Sequence, residues 1–164
     1  MVVEKENTAL LVNLPPLPGT YALVLRISAC ADILIGKLGM LRVQPGCYVY
    51  VGSALGPGGL ASRVGRHATV EKGCRWHVDY LTAMGTLDEV WYTTDTLRRE
   101  CLWAKALRQM RGATVPLERF GSSDCRCRSH LVCFQKRPSL RTFRQRLVGS
   151  IPRHGPIWTA KRRG

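Results

Sequence analysis

Two tyrosines, an arginine, a histidine and a glutamate fall at spacings that set them on the faces of regular elements. Residues 47–51 alternate as a strand, so Tyr48, Tyr50 and Gly52 share one face while Cys47, Val49 and Val51 share the other. The valines suit a core and leave two phenols aimed together; two tyrosines on a half-buried strand is the plainer reading. In the next pattern, Leu60, Arg63, Val64 and His67 stand at i, i+3, i+4 and i+7, one helical stripe. The guanidinium and imidazole on it either line a cleft beside the core or reach outward from the stripe's edge. Farther on, Glu100 shares a stripe with Leu97, Trp103, Ala104 and Leu107. A buried carboxylate needs a cation, either a metal ion or Arg98 or Arg99 nearby. These groups suffice for phosphodiester hydrolysis. Mg²⁺ or Mn²⁺ held by Glu100 would polarise the phosphate, Arg63 would neutralise its oxygens, and a Tyr or His would move the proton of the attacking water.

Two further groups invite weighing. His77, beside Trp76 and Asp79, reads either as a second proton carrier or as a core histidine satisfied by a neighbour. Cys125, Cys127, His130 and Cys133 are zinc-ligand types, but their spacing is not a usual structural zinc pattern and Arg126 and Arg128 would oppose a cation. Zinc is therefore disfavoured and buried thiols are expected.

The elements that must position these residues follow from periodicity. Residues 20–28, 33–43 and 47–51 read as three strands of an antiparallel meander, the last two joined by Gln44-Pro45-Gly46. Residues 60–68 and 76–84 read as helices and 89–93 as a short strand. Residues 96–110 form the longest helical pattern, with Thr96 as its N-cap. An apolar piece follows at 131–134, then a basic helix at 139–148. The expected organisation is a lead-in over 1–18, a domain over 19–136, and a basic helix with a flexible tail over 137–164.

Charge narrows the partner. The chain of 164 residues has 25 Lys and Arg against 11 Asp and Glu, a formal charge of +14. From residue 125 onward there are eleven basic residues and no acidic one. Such a surplus favours a polyanion, nucleic acid before an anionic membrane, and the electrostatic contacts are expected from Arg66, Arg75, Arg126, Arg128, Arg141 and Arg144. Seven cysteines in a chain with no secretory signal suggest reduced thiols, hence an intracellular, cytoplasmic protein, and no apolar run approaches a membrane span.

In order, Gly19-Thr20-Tyr21, Tyr50-Val51-Gly52-Ser53-Ala54, Arg63 with His67, and Glu100 resemble the GIY-YIG nuclease superfamily. The resemblance is closer to its branch named domain of unknown function one hundred and twenty-three, through Arg75-Trp76-His77-Val78-Asp79-Tyr80-Leu81, Phe120 to Cys125, Cys127 and His130-Leu131. Some members of that branch are fused to an endonuclease III-like repair enzyme. The resemblance implies an α+β fold with a small three-stranded antiparallel sheet flanked by helices, here with a C-terminal extension. It also implies a catalytic set at Tyr21, Tyr50, Arg63 and Glu100, assisted by His67 or His77, with Glu100 on the metal. Thr20 departs from the first motif's middle Ile. The expected function is a divalent-metal-dependent endonuclease acting in repair or processing, on DNA rather than RNA; the alternative is a module that binds nucleic acid without cutting it.

Overall fold

Every residue of the first strand, β1 (Gly19–Ile27), is buried except Arg26. The strand therefore divides two cores instead of covering one, and the rest of the chain is built around it. The structure, a computed structural model, describes residues 14–68, 76–150 and 153–161. After β1 come β2 (Ala31–Ile35), β3 (Gly39–Val43), β4 (Gly46–Ala54), α1 (Gly59–Ala68), α2 (His77–Thr82), β5 (Thr86–Thr94), α3 (Glu100–Arg108), β6 (Leu131–Phe134), α4 (Leu140–Ser150) and β7 (Trp158–Lys161). The expected α+β class holds. The sheet runs β6-β4-β1-β5-β7 with every neighbouring pair antiparallel, five strands where three were expected.

One face of the sheet carries Tyr21, Leu23, Leu25, Tyr48 and Tyr50 against Leu60 and Val64 of α1, Val78 and Leu81 of α2, and Phe120. The other carries Ala22, Val24, Val49, Val51 and Trp91 against Trp103, Ala104 and Leu107 of α3 and Phe143 and Leu147 of α4. Burial of this apolar surface is the dominant stabilising term.

Four expectations change. The stretch 33–43 is not one strand. A 3-10 turn at Gly36–Leu38 folds it into the β2–β3 hairpin, a separate two-stranded sheet, because Gly36 and Gly39 both take positive φ. The third strand of the main sheet is β5. Helix α3 starts at Glu100 and not near Thr96, because Asp95 accepts the Leu97 N–H (3.0 Å) and the Arg99 guanidinium (2.8 Å), closing a turn over 95–99. The chain beyond 152, expected to be mobile, includes β7 paired to β5 and a buried Ile157.

The proline lead-in joins the fold through its carbonyls. Leu17 and Pro15 accept the Leu60 and Ala61 N–H groups at the start of α1 (2.9 and 3.1 Å), and Pro18 accepts from Asp95 (3.0 Å). Gly59 makes this approach possible: its φ is +58°, and a Cβ there would lie 2.3 Å from the Leu17 carbonyl oxygen. Among the described residues, no helix is long and apolar enough to cross a membrane.

Candidate active-site cleft

Tyr21 on β1 lies opposite Gly52 on β4. A Cβ at Gly52 would meet the Tyr21 Oη at 2.4 Å, so the glycine leaves the space the phenol fills. Tyr21 Oη is 2.7 Å from His67 Nε2, and His67 Nδ1 is 3.7 Å from Asp79 Oδ1. Asp79 is fixed by the Trp76 N–H (2.9 Å) and lies 3.7 Å from the Arg66 guanidinium. A carboxylate beside Nδ1 favours the imidazole proton on that nitrogen, which leaves Nε2 to accept from the Tyr21 hydroxyl. All three side chains of this Tyr–His–Asp line are buried.

Tyr50 meets the edges of His67 and Phe120, each with ring centres 6.1 Å apart. Gly121 (φ +69°) packs against it so closely that a Cβ would fall 2.7 Å from the Tyr50 ring. The Gly121 N–H donates to His77 Nδ1 (2.9 Å), so the neutral His77 ring carries its proton on Nε2. Arg63 lies over the Trp76 ring at 4.7 Å, and Arg66 over the same ring at 4.0 Å.

Tyr21, Tyr50, Arg63, His77 and Glu100 line one cavity of about 460 Å³ together with Trp76, Arg98 and Asp124. Helix α3 packs on the opposite face of the sheet from the phenols, yet its first residue reaches this cavity. Strand β6 ends opposite Tyr50, after which the Val51 N–H bonds to His130 O and the chain turns away. Past that point β6 no longer pairs with β4, and Glu100 at the start of α3 lines the same cavity as the phenols. Glu100 is 3.8 Å from Arg98, the cationic neighbour weighed as an alternative to a metal.

Burial, and then the Tyr50 phenol, holds the Tyr21 pKa well above its ordinary value. Burial, and then Glu100, does the same to Tyr50. Both phenols are hydrogen-bond donors at neutral pH. Burial lowers the pKa of His77. With the folded value below the unfolded one of about 6.5, its contribution to stability is full above that value and is lost as pH falls through the folded value. Unfolding free energy should therefore fall more between pH ~7 and ~5 in the wild type than in His77→Gln, whose amide oxygen can still accept from Gly121. Identical slopes in denaturant titrations would refute this.

The expected cofactor is corrected by the grouping of ligands. Among the described residues, the group able to hold a metal ion is Cys101, Cys125, Cys127 and His130, whose ligand atoms all lie within 4.8 Å of one another. Mg²⁺ and Mn²⁺ take oxygen ligands, whereas three sulfurs and an imidazole are a softer, zinc-like set, and Glu100 is not part of it. The disfavoured cysteine cluster is thus the metal-capable one, with a change of membership. Cys133 is excluded because it sits on β6 opposite Tyr48, with its thiol on that phenol. Cys101 replaces it.

The predicted basic contacts do not converge. Arg66 lies beside the cleft on Trp76 and Asp79. Arg126 is exposed, and Arg128 is paired with Glu118 at 2.7 Å. Arg141 and Arg144 are on α4, on the other face of the sheet, with Arg144 bonded to the Ile157 carbonyl. Arg75 lies outside the described residues. Sequence reasoning missed Trp76 as the platform under Arg63, Asp79 as the partner of His67, and Cys101. For Cys101 the one available signal was its position next to Glu100 on an inward-facing helix start.

A sequence model described as "Domain of unknown function DUF123" matches residues 20–152. No curated protein and no solved structure matches the chain.

Proposed function

The chain belongs to the DUF123 family, whose function is unknown, and we propose that within it this protein is a nucleic-acid phosphodiesterase of GIY-YIG type, an intracellular endonuclease acting on DNA in repair or processing. The observation that carries the reading is the convergence of Tyr21, Tyr50, Arg63 and Glu100 on one cavity from four elements, β1, β4, α1 and α3. The charge of +14 supports a polyanionic substrate, and the six free cysteines among the described residues support a reducing compartment.

Each side chain takes a role from its environment. The Arg63 guanidinium, spread over Trp76, offers planar paired donors to the phosphoryl oxygens. Glu100 accepts a hydrogen bond from the attacking water and orients it. Because the Tyr21 phenol is held protonated, it does not collect a proton as a free phenoxide. It takes the water's proton as it passes its own to His67 Nε2, and Asp79 stabilises the imidazolium. Tyr50, also protonated, supplies the proton to the leaving oxygen.

The test is cleavage of single-stranded, duplex, branched and damaged DNA and of RNA by the whole protein, with affinity measured against salt on the same substrates. Affinity should fall steeply with salt as Lys and Arg displace counterions. A flat dependence would remove nucleic acid as the partner. The Arg98–Glu100 contact favours one other reading, since it supplies the carboxylate with a cation without any chemistry. Steep binding with no cleavage of any substrate would select that reading, a module that binds nucleic acid without cutting it.

A further inference from the structure

We propose that Cys101, Cys125, Cys127 and His130 bind one zinc ion as a closed structural centre that pins the start of α3 to the 125–130 loop. This goes beyond the phosphodiesterase reading and holds whether or not the cleft cuts. Its ligands come from two parts of the chain: Cys101 is the second residue of α3, and the other three stand in a Cys-x-Cys-x2-His segment that runs into β6.

The spacing fits a tetrahedron. Zn–S bonds of about 2.3 Å and a Zn–N bond of about 2.0 Å require S···N edges of about 3.5 Å and S···S edges of about 3.8 Å. Cys125 Sγ is 3.4 Å and Cys101 Sγ 3.8 Å from His130 Nε2, and all four ligand atoms fall within 4.8 Å. The imidazole is buried and the thiols are half-buried. Four protein ligands leave no open position, which marks a structural centre rather than a catalytic one.

The surroundings suit the charge of the loaded centre. Zinc binding releases the three thiol protons to solvent, and three thiolates around one Zn²⁺ leave a net charge of −1. Arg119 donates to the Cys127 and Cys125 carbonyls (2.8 and 2.7 Å), and Arg108 to the Ser129 carbonyl (2.8 Å). Arg119 and Arg108 thus bring positive charge to the backbone of the ligand loop, while Arg128, which would oppose a bare cation, is paired with Glu118.

The ion would also fix the cleft. Glu100 precedes Cys101, Cys125 and His130 line the cavity, and the His130 backbone bonds to Val51 on β4 and to Phe120. One centre therefore links the carboxylate to the strand that carries Tyr50.

The experiment needs no substrate. Protein produced with zinc and desalted should retain about one equivalent by elemental analysis. Cobalt exchanged into the whole protein should give the intense visible bands and thiolate charge transfer of tetrahedral sulfur-rich coordination. Cys127→Ser should lower the retained metal, whereas Cys133→Ser should not. Chelation should speed hydrogen exchange of the first-turn amides of α3. Absence of stoichiometric metal, an octahedral cobalt spectrum, or equal loss in the two variants would overturn the centre. Unchanged exchange at the start of α3 would overturn the pinning. The cobalt spectrum reads the wild type, so the test survives if Cys127→Ser does not fold.

Discussion

Arg63→Ala should reduce phosphodiester cleavage about a hundred- to a thousandfold, the usual loss when one fixed donor to a developing oxyanion is removed. Arg63 faces the cavity half-buried and forms no ion pair among the described residues; its partner is the Trp76 ring. Its charge is therefore available to a ligand, and its removal orphans no buried carboxylate. The same charge lowers the pKa of both Tyr21 and Tyr50, so its loss would leave the phenols still harder to ionise. Arg63→Lys should recover part of the rate, since charge returns without the planar fork. Cleavage rate and thermal midpoint measured on the same preparations separate chemistry from folding. A rate within a few-fold of wild type at an unchanged midpoint would take Arg63 out of the site.

Trp103→Ala should cost about 3–5 kcal/mol of unfolding free energy and lower Tm by roughly 10 °C. Trp103 is fully buried, edge-on to Phe143 at 5.2 Å and nearly coplanar with His154, ring centres 5.9 Å apart, with its Nε1–H donating to His154 Nε2 at 2.9 Å. It joins α3, α4 and the chain leading to β7. Trp103→Phe decides which effect dominates: it keeps most of the packing and loses the hydrogen bond, so it should cost about 1–2 kcal/mol. Chemical denaturation of the three proteins gives the ordering. A cost below about 1 kcal/mol for the alanine variant would show that the second core is not held together here.

Much of the positioning was legible because it depends on local period. The stripe Leu60, Arg63, Val64, His67 became α1, and the face shared by Tyr48 and Tyr50 became the phenol side of β4. Strand β1 is buried on both faces, because apolar residues stand at nearly every position and helices cover each side. The zinc-type cluster was hidden. Cys101 is separated from Cys125 by most of α3 and a loop, and only the tertiary fold brings the two together. The Tyr21–His67–Asp79 line was invisible likewise, since each member comes from a different element.

The lead-in that closes on α1 has a consequence for any phosphate that the proposed site would take. The first N–H groups of a helix form a ready cradle for phosphate, a recognition that never titrates and depends little on side-chain chemistry. Here Gly56, Leu17, Pro15 and Gly58 carbonyls accept the N–H groups of residues 59–62, so that cradle is filled by the chain itself. For a phosphodiester in the proposed site, the start of α1 offers no free backbone donor, and recognition would rest on side chains there, chiefly Arg63 and the two phenols. Any drift in substrate preference would have to pass through those few residues and could not be absorbed by backbone that fits every phosphate alike.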